Sequence, residues 1–376
     1  MDSFIPVIII GAGPAGLAMG GRLRQAGIDF IVLEQSNEVA HSWHHHYDRL
    51  HLHTVKQFSH LPYLPFPDDY PQYVSRQQLV EYLEAYARHF DIQPIFGESV
   101  EEISRKGTHW RVSTEKGTQY LAKQVVVATG VNRVPYHPQF PDQEDFNGTI
   151  LHSRFYKNAR TFDGQKVLVV GMGNTGAEIA LDLSENGIEV LLSIRGPVNI
   201  VPRDFLGMPT QLSALRLAKL PHRLGDWLGR QVQKLSIGNL EKYGIERPSI
   251  PPSRQLRETG QTPVIDLGTV AQVKAGYIKV VPGIEHFTPR GALFKNGEEY
   301  EFDSVILATG YRAHLEDFIP NVRTMLNDVD GLPKSSIGTA EFEGMYFIGF
   351  DNFKPGGIIG VIFKETDMVL REIQKN

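Results

Sequence analysis

Two copies of one glycine pattern constrain this chain more than anything else in it. Gly11-Ala12-Gly13-Pro14-Ala15-Gly16 and Gly171-Met172-Gly173-Asn174-Thr175-Gly176 both read G-x-G-x-x-G. Each follows a short apolar run, Val7 to Ile10 or Lys166 to Val170, and each opens a helical stretch that stops at a glycine, Gly27 or Gly187. A second apolar run then ends at Glu34 in the first copy and at Arg195 in the second. A lone pattern of this kind is a weak signal; strand, glycine turn, helix and strand in succession are its confirming context. The first glycine makes the tight turn, the second lets backbone amides approach a pyrophosphate, and the third lets helix and strand pack closely. The expected fold class is α/β, with two Rossmann-like dinucleotide-binding domains. Ala128-Thr129-Gly130 and Ala308-Thr309-Gly310 each end a β-run and echo one another, as if the chain opens one unit, completes a second and returns to the first. The expected boundaries are 1–157 with 305–376 for the outer domain and 158–304 for the inserted one, which carries a helical insertion at about 205–260.

The residue that ends the second strand sorts the ligands. Glu34 lies 18 positions after Gly16, where a carboxylate accepts ribose hydroxyls and repels a 2′-phosphate, which suits FAD. Arg195 lies 19 positions after Gly176, and a guanidinium there favours the 2′-phosphate of NADPH. Gly11, Gly13, Pro14, Ala15, Gly16, Glu34 and Gln35 are the expected FAD contacts, and Thr129, Gly130, Ala308, Thr309 and Gly310 are expected to bind cofactor as well. Gly171, Gly173, Asn174, Thr175, Gly176, Ser193 and Arg195 are those of NADPH.

Composition closes off other readings. The 376-residue chain has no cysteine, which excludes a disulfide scaffold, a thiolate metal site and a redox cysteine pair. Its net charge of −5 comes without the block of like charge that a nucleic-acid-binding arm needs. His44, His45 and His46, with His51 and His53, invite a metal reading. Three consecutive histidines cannot face one ion from a regular element, so no metal is expected. Met1 to Phe4 lack the basic start of a signal peptide, and no apolar run approaches the roughly 20 residues that span a bilayer, so a cytoplasmic protein is expected. Leu212 to Leu240 is amphipathic and mildly basic; a helical cap packed over the site is expected there in preference to a membrane-surface helix.

Between the fingerprints stands Phe146-Asn147-Gly148-Thr149-Ile150-Leu151-His152-Ser153-Arg154-Phe155-Tyr156. It matches F-x-G-x-x-x-H-x-x-x-Y and so resembles the identifying motif of flavin-containing monooxygenases and their N-hydroxylating relatives; Baeyer–Villiger monooxygenases typically carry Trp where this chain has Tyr156. A wider resemblance is to the plant YUCCA-type monooxygenases. It rests on Tyr47-Asp48-Arg49-Leu50, Lys56-Gln57-Phe58, Glu241-Lys242-Tyr243-Gly244, Thr262-Pro263-Val264-Ile265-Asp266 and Val280-Val281-Pro282-Gly283-Ile284. The chain departs from those enzymes in having no cysteine and in the details of Pro355 to Gly360.

The resemblance implies a glutathione-reductase-like architecture with the NADPH domain inserted in the FAD domain. It also implies an NADPH-reduced FAD, a C4a-(hydro)peroxyflavin, and transfer of one oxygen atom to a small organic substrate. For YUCCA-type enzymes that substrate is indole-3-pyruvate, converted to indole-3-acetate; nitrogen and sulfur nucleophiles serve other members. Baeyer–Villiger or N-hydroxylating chemistry and a bare NADPH oxidase stay open on the same scaffold. The expected partners are the substrate and O2, with no nucleic acid and no transmembrane segment, and homodimer formation is left open. Lys56 is expected beside NADP+ or the reacting oxygen, and Asn174 in the NADPH site. His152 and Tyr156 are read as linking the domains more than as acid–base groups. Trp43 and His53 are expected to line loops over the flavin, and the helix starting near Gly357 to aim its positive end at the flavin ring. Arg203, after Pro202 as in the plant enzymes, is the candidate for a substrate carboxylate.

Overall fold

Apolar runs buried on both faces dictate parallel pairing, and the computed structural model, which describes residues 4–375, builds its two largest sheets around such strands. Residues 1–3, part of the expected absence of a signal peptide, lie outside the described residues. The chain divides into two compact units. Met1–His44, Thr54–Val134 and Tyr311–Asn376 form the first, His45–His53 and Pro135–Gly310 the second.

In the first unit Ile5–Ile10 lies between Phe30–Glu34 and Gln119–Val127 and runs parallel to both, with Val7 opposite Phe30 and Gln124. Ile95–Phe96 extends the sheet on one side, and the antiparallel strands His109–Thr114 and Val100–Lys106 extend it on the other. Met345–Phe347 pairs with the last three residues of Gln119–Val127. That Met-Tyr-Phe run is too short to show alternation, and sequence reasoning missed it although Gly344 turns the chain just before it. The helix Arg76–His89 starts with the capping box that the Ser75–Gln78 spacing predicts. The terminal helix, Ile358–Ile373, packs on the first fingerprint helix, Pro14–Gln25, where Arg22 Nε donates to Thr366 Oγ1 at 3.0 Å.

The second unit holds five parallel strands in the order Ile278–Val281, Glu189–Ser193, Lys166–Val170, Ser304–Leu307, Thr149–His152. Thr149–His152 and Ser304–Leu307 thus complete the inserted sheet, whose amides they satisfy. The expected boundaries at 157 and 305 give way to 135 and 310, and Ala308-Thr309-Gly310 goes with the second unit instead of returning to the first. Residues 45–53 also belong here: the Asp48 amide donates to the Lys157 carbonyl at 2.9 Å, and Arg49 meets Glu185 at 2.8 Å and Asp182 at 3.4 Å.

The helical insertion consists of a hairpin, Asp204–Phe205 with Met208–Pro209, and the helices Thr210–Leu217, His222–Ile237 and Pro252–Thr259. One face of His222–Ile237 is packed. Ile237 joins Ile200, Leu240, Ile245 and Val264 in the core, Gln233 Nε2 donates to Asn199 Oδ1 and the Ile200 carbonyl, and Asp226 takes both ends of the Arg257 guanidinium. The opposite face, with Leu224, Trp227 and Leu235, lies in solvent. The expected packed cap is therefore packed on one side alone.

The two βαβ units repeat one another bond for bond. The Gly11 amide donates to the Leu33 carbonyl at 2.8 Å and the Gly171 amide to the Ser193 carbonyl at 2.9 Å; Ala128 reaches Ile10, and Ala308 reaches Val170, at 2.9 Å each. A Cβ on Gly16 would stand 1.9 Å from the Gly11 carbonyl oxygen, and one on Gly176 the same distance from that of Gly171. The obstacle is backbone and cannot swing aside. Gly16→Ala and Gly176→Ala are expected to cost about 3 kcal/mol or more, or to abolish soluble protein, as read by thermal unfolding and expression yield.

Candidate functional site

The fold's own needs explain two of the three glycines in each turn. Gly11 and Gly171 have φ of +105° and +103°, and a Cβ on either would lie 2.7 Å from the carbonyl oxygen of Ala128 or Ala308. Gly16 and Gly176 are crowded as described. Gly13 and Gly173 have φ of −82° and −86°, which any residue adopts, and a Cβ there would meet nothing within 4 Å. Nothing inside the described chain forbids a side chain at the middle glycine, so the space is kept for a ligand. Both are helix N-caps without a side-chain capping bond, and neither first turn holds an acid. Open amides and the positive helix end therefore face the same place, the arrangement that holds a pyrophosphate. Pro14 fits the first helical position, where its missing N–H costs nothing, followed by Ala15. In the second turn Thr175 follows Asn174, whose Oδ1 accepts from the Ile265 amide at 2.7 Å, so Asn174 fixes a neighbouring strand.

The cradles differ at the strand end. Glu34 is buried and accepts from the Ala12 amide at 2.7 Å and the Ser36 amide at 2.9 Å, tying strand end to glycine turn. A carboxylate has about four acceptor sites, so capacity remains for ribose hydroxyls. In the second unit the matching hydrogen bonds make Ser193 the counterpart of Leu33, so Ile194 corresponds to Glu34 and Arg195 to Gln35. The expected equivalence of Arg195 and Glu34 is corrected by one residue, the same residue by which the spacings of 18 and 19 differ. Its consequence is favourable to a phosphate. Ile194 removes the repelling carboxylate, and Arg195, exposed and without an ion pair or hydrogen bond to a described residue, offers its charge from the turn. Ser193 is buried with Oγ donating to the Pro282 carbonyl at 2.9 Å, so its hydroxyl closes the strand end.

Elsewhere in the first unit, Thr129 Oγ1 is buried without a described partner beside Gly130, which has φ of +78°. Gln35 is exposed, and Trp43 is half-buried on the short helix His41–His44. Gly357, at φ +80°, caps the terminal helix without a side-chain bond, and a Cβ there would lie 2.6 Å from Thr54 Cγ2. Lys56 does not face open space. Its ammonium donates to the carbonyls of Asp68 at 2.8 Å, Tyr70 at 2.7 Å and Pro67 at 3.5 Å, and so clamps a loop; these bonds use the three hydrogens expected for cofactor or oxygen.

The second unit gathers the motif residues. His152, 1% exposed, accepts the Arg154 amide at Nδ1 and donates from Nε2 to the Gly310 carbonyl, both at 3.1 Å, which fixes a neutral tautomer. Burial lowers its pKa, against the opposing effect of the Gly310 bond. Tyr156 donates to Asp182 Oδ2 at 2.5 Å, and burial followed by this bond raises its pKa far above the ordinary phenol value. Both side chains bond within the second unit, where Tyr156 holds the fingerprint helix Asn174–Glu185 and His152 holds the second Ala-Thr-Gly. These bonds brace the second unit from within. Thr309 Oγ1 donates to the Tyr136 carbonyl at 2.6 Å. Arg203 Nε meets Asp204 at 3.1 Å, an intramolecular partner for the charge expected to meet a substrate. His53 is joined through Nε2 to Glu178, a 1% exposed carboxylate two positions beyond Gly176 on the fingerprint helix. Glu178 went unnoticed in the sequence because, with Asp182 and Glu185 four and seven residues on, it stands in a row of acids on one helix face. Its Oε2 is buried without a described partner.

Comparison with known proteins places this geometry. The pyridine nucleotide-disulphide oxidoreductase family matches residues 8–204, more than half of the chain and both fingerprints. With no cysteine in the sequence, the disulphide part of that description does not carry over. A probable indole-3-pyruvate monooxygenase, YUCCA1 of Arabidopsis thaliana, is 40% identical over 350 residues, covering 91% of this chain and 84% of the relative. The indole-3-pyruvate monooxygenase YUCCA1 of Oryza sativa subsp. japonica is 40% identical over 362 residues, covering 93% and 87%. Among solved structures, a flavin-containing monooxygenase from Stenotrophomonas maltophilia has a TM-score of 0.77 at 22% identity, covering 100% of this chain and 99% of its own. An oxidized steroid monooxygenase bound to NADP has a TM-score of 0.76 at 18% identity, covering 98% and 85%. The fold and site thus define a flavin-dependent monooxygenase. Within that class, the chain belongs to the YUCCA family.

Gly13→Ala is expected to leave the unfolding temperature of the protein stripped of cofactor unchanged while flavin content of the purified protein falls at least tenfold; a stability loss like that of Gly16→Ala would show that the middle glycine serves the fold. For His152 the folded pKa lies below the unfolded one, so the unfolded chain binds more protons as pH drops past 6.5. Its stability contribution is full above that value and is lost as pH falls toward the folded pKa. The stability advantage of the protein over His152→Gln, measured by urea unfolding, should therefore shrink as pH is lowered from neutrality toward 5.

Proposed function

We propose that the first unit holds FAD and the second NADPH, and that the chain uses them to place one atom of O2 in a small 2-oxo acid resembling indole-3-pyruvate. The observation that carries the cofactor reading is the pair of middle glycines, Gly13 and Gly173, each guarding open space at an uncapped helix end. Glu34 suits the unphosphorylated adenosine ribose of FAD, and Ile194 with Arg195 suits the 2′-phosphate of NADPH. The substrate class rests on the two plant relatives, whose names state it and whose match spans nearly the whole chain.

A flavin held by the first unit would supply the redox chemistry with O2, drawing its electrons from NADPH. The overall change balances as 2-oxo acid, O2, NADPH and a proton giving the carboxylic acid one carbon shorter, CO2, water and NADP+. What the chain adds is binding and order. The glycine-turn amides hold the diphosphates, and Glu34 uses its remaining lone pairs on a ribose. Tyr156 stays protonated and His152 neutral, so the motif braces the NADPH cradle and moves no proton. His53 commits Nε2 to Glu178 on the fingerprint helix.

Purified protein should be yellow, bleach under NADPH without air, and on admission of labelled O2 with indole-3-pyruvate put one labelled atom into indole-3-acetate. NADPH consumption that returns all the oxygen as hydrogen peroxide, with no labelled acid, would overturn the monooxygenase reading for this substrate. Arg195→Ala is expected to raise KM for NADPH roughly 10- to 100-fold and leave that for NADH within about twofold. Equal losses for both coenzymes would remove the 2′-phosphate assignment.

A further inference from the structure

We propose that the helical insertion of the second unit docks this enzyme, in the plane of the interface, on an anionic lipid surface. Three observations in residues 205–238 point the same way. The first is the outer face of the helix His222–Ile237. Leu224, Leu228 and Leu235 fall within about 40° of one another at 100° per residue, with Trp227 beside them and Leu220 just ahead of the helix. Trp227 is 57% exposed and Leu235 79%. The inner face carries Asp226, Gln233 and Ile237 and is the one that packs.

The second is the hairpin Asp204–Phe205 and Met208–Pro209. At its tip Leu206 and Gly207 take φ of +50° and +75°, a turn that favours asparagine and glycine. A leucine there bears backbone strain, and it is 88% exposed, with Met208 also exposed. Strain and exposure together bring no return inside the molecule. They are repaid if the tip enters an apolar medium.

The third is charge. Residues 205–238 hold five cations, Arg216, Lys219, Arg223, Arg230 and Lys234, against the single carboxylate of Asp226, in a chain whose net charge is −5. Asp226 is turned inward and neutralised by Arg257. Arg216, Lys219, Arg223 and Lys234 are exposed and make no ion pair with a described residue. Arg223 and Lys234 follow Trp227 at one edge of the stripe, whereas Arg230 is turned to the carbonyls of Pro248 and Ser249. An apolar stripe edged by cations is the pattern of a helix lying in a headgroup layer, and basic side chains there are drawn to anionic lipid. A second copy fits the face poorly, because a twofold contact would set these cations against their own kind. No helix among the described residues is long and apolar enough to cross a membrane, so the contact is a surface one.

The test is sedimentation of the cofactor-loaded protein with vesicles of pure phosphatidylcholine, or of phosphatidylcholine with one third phosphatidylglycerol, at about 50 mM and about 500 mM salt. Expected are binding to the anionic vesicles at low salt, release at high salt, and quenching of Trp227 by brominated lipid. Arg223→Gln with Lys234→Gln should lower the partition coefficient roughly 20- to 30-fold, at about fivefold per charge. Leu224→Asp with Trp227→Asp should abolish binding while flavin content and NADPH consumption in solution persist; if that pair fails to fold, Leu206→Asp with Met208→Asp reads the same loss. Absence of binding, or equal binding to both vesicle types at both salt levels, overturns the proposal. So does a dimer that becomes monomeric in the Leu224/Trp227 variant without any vesicle association.

Discussion

The contact between the third glycine of each fingerprint and the carbonyl of the first is the constraint from which the rest of the molecule follows. With Gly16 against Gly11 and Gly176 against Gly171, each helix is drawn onto the end of its strand until no Cβ fits. That approach aims the helix N-terminus at the sheet edge and brings the Ala128 and Ala308 carbonyls over the turn. It leaves the middle glycine facing outward. An anion-binding end is thereby built from backbone alone, which is why the sequence around it varies freely between Pro14-Ala15 and Asn174-Thr175.

On this repeated frame, the two cradles are told apart by small substitutions at one strand end. A carboxylate that fastens its own glycine turn stands in the first, and an isoleucine followed by an exposed arginine stands in the second. The residues that distinguish the family do supporting work around the second cradle. Tyr156 and Arg49 reach Asp182, His53 reaches Glu178, and His152 holds the Gly310 carbonyl. Three carboxylates on one helix, Glu178, Asp182 and Glu185, are thereby engaged by groups from segments far away in sequence. The helix is held to its unit by polar contacts on one face and by the apolar sheet on the other. Burial of His152 and Tyr156 keeps both in their uncharged forms, as befits braces.

Much of this was legible beforehand because its causes are local. A strand of uninterrupted apolar residues, a glycine turn and a helix announce themselves within thirty residues, as does a capping box at Ser75 and Gln78. The family motif was readable as a string. The bonds its members make were not, because His152 and Tyr156 find their partners 158 and 26 positions away. Lys56 reads as a free cation in sequence and is a loop clamp in space, since three carbonyls 11 to 14 residues on converge on it. Glu178 was invisible for the same reason. With Asp182 and Glu185 four and seven residues on, it reads as one acid of a solvated row until His53 is seen against it.

The sequence by itself determined that there would be two dinucleotide turns, that no thiol chemistry was available, and which family the chain joins, because those follow from residue type and short-range spacing. Only the tertiary structure decided which strands complete which sheet, what Lys56 and Glu178 meet, and which face of the cap helix meets solvent. Those are matters of hydrogen-bond register and of side chains converging from distant segments. Local spacing records neither which distant strand becomes a neighbour nor which distant side chain meets a given group.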